Sequence, residues 1–164
     1  MVSDDELFKL VSKVGHLLVD SRRKLVTAES CTGGWVSKAI TDVPGSSAWF
    51  RGGVVSYDNS LKQSLLGVTE ETLAIHGAVS DATVLEMALG ALERVGGDIA
   101  LAVSGIAGPD GGQPGKPVGT VWFGWAWRHG QAVHHRTRLK IIDGGREEVR
   151  RRSVMTALSG LLEI

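Results

Sequence analysis

Leu25-Val26-Thr27-Ala28-Glu29-Ser30-Cys31-Thr32-Gly33-Gly34 joins an apolar, partly β-branched run to a knot of carboxylate, hydroxyl and thiol side chains closed by two glycines. Trp35-Val36-Ser37-Lys38-Ala39-Ile40 behind it has helical character, so a buried strand over 25–28 is expected to deliver Ser30 to a helix start. The same junction recurs downstream. Ile99-Ala100-Leu101-Ala102-Val103 is almost continuously apolar, as in a strand covered on both faces, and runs into Ser104-Gly105-Ile106-Ala107-Gly108-Pro109-Asp110-Gly111-Gly112. Two such covered strands, each ending in a glycine loop, point to an α/β domain.

Upstream, Ser3 and Glu6 form a capping box, and Leu7, Leu10, Val11, Val14, Leu17 and Leu18 share a face, predicting a helix over 4–21. The helix after Gly34 should end near Asp42, where Val43-Pro44-Gly45-Ser46-Ser47 forces a loop. Phe50 to Tyr57 reads as a strand, and Tyr57-Asp58-Asn59-Ser60 as a turn and cap before a short helix from Leu61. Lys62 then falls in a first helical turn, where a cation is unfavourable by about 0.3–1 kcal/mol when exposed.

Thr69 caps a further short helix, and Ser80 a longer one with Val84, Met87, Ala88, Ala91, Leu92 and Val95 on one face, ended by Gly96-Gly97. Val118–Trp127 and Ala132–Leu139 pair as an antiparallel hairpin, and 146–162 is an amphipathic helix. The pattern predicts a single domain over 1–164: three-layer α/β/α, with a mixed, mostly parallel sheet. Open α/β sheets bind ligands beyond the carboxyl ends of their strands, and the Ser30, Tyr57 and Ser104 junctions all stand at such ends.

Composition narrows the partners. Eighteen basic residues balance eighteen acidic ones, which gives no net field towards nucleic acid or an anionic membrane. The acidic start, Met1-Val2-Ser3-Asp4-Asp5-Glu6, lacks the features of a secretion signal, and no apolar run approaches the roughly 18 residues of a spanning helix, so the cytoplasm is the expected compartment. Cys31 is the single cysteine, which excludes an intrachain disulfide and a thiolate-rich zinc site. His16 reads as a helix-flank residue and His134-His135 as strand neighbours on opposite faces, so no metal or other cofactor is expected.

The glycine loop is not a nucleotide fingerprint of a familiar kind: Gly115-Lys116 is followed by Pro117, and no G-x-G-x-x-G occurs. It is either a long turn or a backbone cradle for an anion or substrate. Ser30 reads locally as a helix N-cap worth about 1 kcal/mol. A catalytic role would need a base, and neither G-x-S-x-G nor S-x-x-K supplies one. Cys31 is either a nucleophile or a small buried residue. Arg146, Arg150, Arg151 and Arg152 read as a solvated helix face, although Arg146, just after Gly144-Gly145, is within reach of a phosphate. The tryptophan-rich hairpin at 118–139 suggests a homodimer, since aromatic residues commonly mark interfaces.

Several longer motifs occur together: Ala28-Glu29-Ser30-Cys31-Thr32-Gly33-Gly34, Gly53-Val54-Val55-Ser56-Tyr57-Asp58-Asn59 with Lys62, His76-Gly77-Ala78-Val79-Ser80, Ser104 to Gly112, and Lys116-Pro117-Val118-Gly119-Thr120-Val121. In this order and over nearly the whole chain, they resemble the C-terminal domain of the competence/damage-inducible CinA family. Two-domain members carry an additional N-terminal domain that has no counterpart here. The resemblance to stand-alone members implies hydrolysis of nicotinamide mononucleotide to nicotinic acid mononucleotide and ammonia, in pyridine nucleotide salvage. Its rival is a non-catalytic nucleotide-binding or regulatory module.

The resemblance further implies a catalytic serine and lysine at Ser30 and Lys62. A lysine partly buried near a helix N-terminus should have a lowered pKa, so that its neutral amine serves as base. Tyr57 is then expected to hold Lys62 or stack on the pyridinium ring, and Asn59 to bind the amide. Backbone donors near Gly33-Gly34 or at Ser104-Gly105 are candidates for the oxyanion site, with Cys31 and Thr32 beside them. The phosphate is expected against the 105–112 backbone and Arg146, with Gly105, Ile106, Ala107 and Gly108 among the substrate-binding residues. No metal is required by such a pair.

Overall fold

Successive side chains of a strand point to opposite faces, and the alternation along Leu25–Glu29 decides the layering. Leu25 joins a core cluster with Leu7, Val11, Val14, Leu18, Val36, Ile40, Val154 and Leu158, whereas Val26 and Ala28 join another with Leu66, Val84, Met87, Ala88 and Ala91. The sheet is therefore covered on both faces, as the apolar strands require. The structure, a computed structural model, describes residues 2–164.

In chain order the elements are α1 (Asp4–Asp20), β1 (Leu25–Glu29), α2 (Trp35–Thr41), β2 (Phe50–Val55), α3 (Asn59–Leu66), α4 (Glu70–His76), α5 (Asp81–Ala91), β3 (Ile99–Gly105), β4 (Thr120–His129), β5 (Ala132–Ile141) and α6 (Arg146–Ser159). The five-stranded sheet has the order β2-β1-β3-β4-β5. β1 pairs in parallel with β2 and β3, and the β4–β5 hairpin adds two antiparallel pairings, so the sheet is mixed as the strand pattern predicts but not mostly parallel, because the long hairpin strands supply the more extensive ladders. From β1 the chain crosses by α2 on one face to β2, then returns by α3 to α5 on the other face to β3. Connections that diverge in this way leave a crevice at the carboxyl ends of β1 and β3.

Several local expectations need correction. Ser30 does not cap α2: that helix starts at Trp35 behind Gly34, whose φ of +95° belongs to the left-handed region that glycine adopts at least cost. α3 begins at Asn59 rather than Leu61, because the Asp58 side chain caps it by accepting from the Ser60 N–H. β2 stops at Val55, leaving Tyr57 in the connection to α3. The segment after Pro44 folds into a 3-10 turn at Ser46–Ala48, and α5 runs on into a π-helical turn at Leu92–Gly96.

The tryptophans do not form an exposed aromatic surface. Trp125 is fully buried and donates its indole N–H to the Ala157 carbonyl at 3.0 Å, and Trp49 is buried as well. The exposed large apolar residues of the hairpin are Val133, Leu139 and Ile141 on the edge strand β5. Among the described residues no helix is long and apolar enough to cross a membrane.

Candidate active site

Ser30 follows β1 directly and is held as its continuation, its N–H donating to the Val103 carbonyl of β3 at 3.0 Å. The chain then turns sharply, with the Gly33 N–H donating back to the Ser30 carbonyl at 3.0 Å. Arg150 of α6 fastens the turn from outside: its guanidinium donates to the Cys31 carbonyl at 3.1 Å and the Thr32 carbonyl at 2.9 Å. Ser30 itself is buried, with 8% of its surface exposed.

Lys62 approaches from the neighbouring element. The Asp58 cap starts α3 close to the end of β2, which sets Lys62 in the first turn with its side chain running back over the end of β1. Its Nζ lies 3.0 Å from Ser30 Oγ, 2.8 Å from the Ser56 carbonyl and 3.1 Å from the Tyr57 carbonyl. Only 1% of the residue is exposed, and among the described residues it makes no ion pair. Burial disfavours the ammonium form and pulls the pKa below the ordinary lysine value, with a weaker opposing contribution from the Asp58 carboxylate. In the neutral amine, two N–H bonds satisfy the two carbonyls and the lone pair is left for the Ser30 hydroxyl proton. An amine so placed is able to accept the proton of the hydroxyl it faces.

The pair opens into a cavity of about 200 Å3 lined by Ser30, Cys31, Tyr57, Lys62, Ala78, Val79, Ser104, Gly105, Ala107 and Arg146. Ser104 donates its hydroxyl proton to the Ala78 carbonyl at 2.7 Å, so its oxygen has only lone pairs to offer a ligand. Arg146 donates to the Gly108 carbonyl at 2.7 Å and to the Tyr57 hydroxyl at 3.2 Å, bridging the glycine loop and the β2–α3 connection. A wider groove of about 290 Å3 between α1 and α2, lined by Asp4, Leu7, Phe8, Trp35, Lys38, Ala39 and Asp42, contains no paired nucleophile and base.

Of the residues singled out in the sequence, Ser30, Lys62, Tyr57, Cys31, Ser104, Gly105, Ala107 and Arg146 thus share one cavity. Thr32, Gly33 and Gly34 shape the turn behind it, and Ile106 and Gly108 belong to the loop that continues its wall without lining it. Asn59 is exposed at the start of α3 and does not line it. Cys31 is buried, and burial pushes its thiol up to about 12, far from a reactive thiolate. Ala78, Val79 and Glu29 are the site's residues to which the sequence alone assigned no role; the first two fall in the His76–Ser80 motif, but apolar side chains give no chemical signal. Arg150 and Arg151 do not belong to a solvated helix face: both are half-buried, Arg150 against the Cys31 and Thr32 carbonyls and Arg151 against Asp4. Among the described residues no three His, Cys, Asp or Glu side chains converge on a common point.

The model of the CinA C-terminal domain matches residues 7–164. The chain belongs to the CinA C-terminal domain family. It is 51% identical to "Nicotinamide-nucleotide amidohydrolase PncC" of Escherichia coli, over 98% of this chain and 95% of that protein. It is 49% identical to the protein of the same name from Pseudomonas putida, over 98% of each. Among solved structures, the competence damage-inducible protein A from Klebsiella pneumoniae superposes with a TM-score of 0.90 at 41% identity, covering 96% of this chain and 95% of that one. The mixed sheet and its helical layers are accordingly those of the CinA fold.

Proposed function

We propose that this CinA-family chain is a nicotinamide-nucleotide amidohydrolase, which cleaves the carboxamide C–N bond of nicotinamide mononucleotide to give nicotinic acid mononucleotide and ammonia in pyridine nucleotide salvage. The observation that carries this reading is Lys62 Nζ at 3.0 Å from Ser30 Oγ, buried and with a lowered pKa. The names of the PncC relatives support the substrate.

In this mechanism neutral Lys62 takes the Ser30 hydroxyl proton as Oγ attacks the carboxamide carbon. The tetrahedral intermediate collapses as the C–N bond breaks and Lys62 returns the proton to the departing ammonia, leaving an ester on Ser30. Water attacks the ester, Lys62 takes one of its protons and passes it to Ser30 Oγ, and the product acid leaves, giving up its remaining proton to solvent as the carboxylate. Backbone N–H groups at the Ser30 turn or the Ser104-Gly105 junction hold the oxyanion, a contribution typically worth about 3–4 kcal/mol.

The small cavity suits a pyridine carboxamide, and Ser104 oxygen, an acceptor here, suits the amide N–H2 and repels the carboxylate product. Tyr57 and Arg146 at the mouth suit the cationic ring and the phosphate. We assign the protein to the cytoplasm, as a homodimer for which Val133, Leu139 and Ile141 of β5 offer exposed apolar surface; sedimentation equilibrium checks the latter.

The test is ammonia release by the purified protein from nicotinamide mononucleotide, nicotinamide riboside and free nicotinamide. Turnover of the mononucleotide with loss on removing the phosphate supports the reading. Binding without turnover would instead favour a non-catalytic nucleotide-binding module.

A further inference from the structure

Glu29 is buried, with 1% exposure, and among the described residues its carboxylate pairs with no cation. A carboxylate withdrawn from water is costly unless hydrogen bonds replace hydration. Here the donors come from the turn that follows Ser30. One oxygen accepts from the Thr32 hydroxyl at 2.7 Å and from the Gly34 and Val36 N–H groups at 3.0 Å each. The other accepts from the Ser37 N–H and hydroxyl, both at 2.8 Å.

The main chain of the same residue faces the other way. The Glu29 carbonyl accepts from the Ser56 N–H at 2.8 Å, and the Ser56 carbonyl in turn accepts from Lys62 Nζ at 2.8 Å. Glu29 therefore holds the turn that carries Ser30 through its side chain, and through its backbone the strand end that holds Lys62. Gly34 gives α2 no side-chain cap, so without the carboxylate the N–H groups of Val36 and Ser37 lose their partners inside the protein.

We propose that Glu29 is a positioning residue for the nucleophile: its carboxylate fixes the 30–37 turn so that Ser30 Oγ stays on Lys62 Nζ. It touches no substrate and moves no proton. The inference rests on the serine–lysine reading above, and the experiment separates the two. The probe is a fluorophosphonate, whose P–F bond breaks as Ser30 Oγ bonds to phosphorus, the hydroxyl proton passing to Lys62 and fluoride leaving, so its labelling rate reports nucleophile alignment without assuming any natural substrate.

Glu29→Gln, which presents an N–H2 to a ring of donors, is expected to label at least ten-fold more slowly than wild type and to lose kcat by a similar factor with KM within two-fold. Calorimetric affinity for nicotinamide mononucleotide, compared between Ser30→Ala and the Glu29→Gln/Ser30→Ala double variant, should change less than two-fold. Thr32→Val, which removes one donor and leaves the strand untouched, should slow labelling about three-fold with little change in melting temperature; it keeps the test open if Glu29→Gln does not fold. A folded Glu29→Gln protein that labels at the wild-type rate overturns the proposal and leaves the serine–lysine reading standing, as does wild-type labelling by Thr32→Val when Glu29→Gln is unfolded. A wild-type protein that does not label at all overturns both.

Discussion

Lys62 Nζ lies 3.0 Å from Ser30 Oγ across 32 residues of sequence, with its remaining contacts made to two backbone carbonyls. A buried lysine with no carboxylate partner is a poor stabilising device, since desolvation is not offset by an ion pair. What the arrangement provides is an amine of lowered proton affinity aimed at a hydroxyl. Three consequences concern that pair and its surroundings directly.

Removal of the proposed nucleophile should be decisive and removal of its neighbour should not. Ser30→Ala is expected to lower kcat by about 10^3-fold or more in the amidase assay. Cys31→Ala should stay within about five-fold of wild type, because a thiol pushed up to about 12 is protonated at neutral pH and serves only as packing. Loss of turnover in Cys31→Ala with retention in Ser30→Ala would reverse the assignment.

Lys62→Met should separate activity from stability. Loss of the proposed base is expected to cost about 10^2–10^4-fold in kcat. In wild type, kcat/KM should rise with pH through an apparent pKa below the ordinary lysine value of 10.5 and then level off. The stability effect has the opposite sense at neutral pH. Between the lowered folded pKa and 10.5 the unfolded chain holds a proton that the folded one lacks, so wild-type stability rises with pH across that window; below it the full cost of burying the ammonium applies. Urea denaturation of both proteins across this range should show wild type gaining on Lys62→Met as pH rises. A flat difference would mean that Lys62 titrates alike in both states.

The mouth of the cavity should govern affinity rather than chemistry. Arg146 contacts the Gly108 carbonyl and the Tyr57 hydroxyl, neither of which neutralises its charge. Arg146→Ala is expected to raise KM for nicotinamide mononucleotide about ten-fold or more, in keeping with the loss of a charge-assisted contact to phosphate. The riboside, which has no phosphate, should lose much less. Equal loss on both substrates would remove Arg146 from the phosphate site.

Periodicity and capping signals were enough for the layers of this fold. The face of α1, the capping box at Ser3 and the unbroken apolar run of β3 each impose one solution on the local chain. The site was legible only in part. Ser30 resembles a helix cap because hydroxyl residues before a helix usually are caps; here the cap function passes to Glu29, and that substitution depends on a turn closed by Arg150 from the far end of the chain. Lys62 stood out locally as a cation at an unfavourable helix end, but its partner lay in another element, so the pairing came from the family resemblance. Asn59 shows the converse: a polar residue in a telling motif can serve the helix start and point elsewhere.

Gly90 offers a test of how tightly Lys62, the proposed base, is held. In the interior of a helix, alanine normally stabilises relative to glycine by about 0.5–1 kcal/mol. At Gly90 of α5, however, an added methyl would run into the carbonyl oxygen of Leu66, the last residue of α3. Leu66 is packed among Met87, Ala88 and Ala91, so α3 cannot yield without losing that contact, and moving α3 moves Lys62 with it. Gly90→Ala should therefore destabilise by about 1–3 kcal/mol in urea, the range for overpacking, reversing the usual sign. It should also lower kcat with little change in KM, because the cavity mouth is untouched while the 3.0 Å approach of Nζ to Ser30 Oγ is disturbed. A Gly90→Ala protein as stable as wild type would show that α3 and α5 can separate freely, and wild-type kcat in the same variant would show that the position of Lys62 does not depend on their contact.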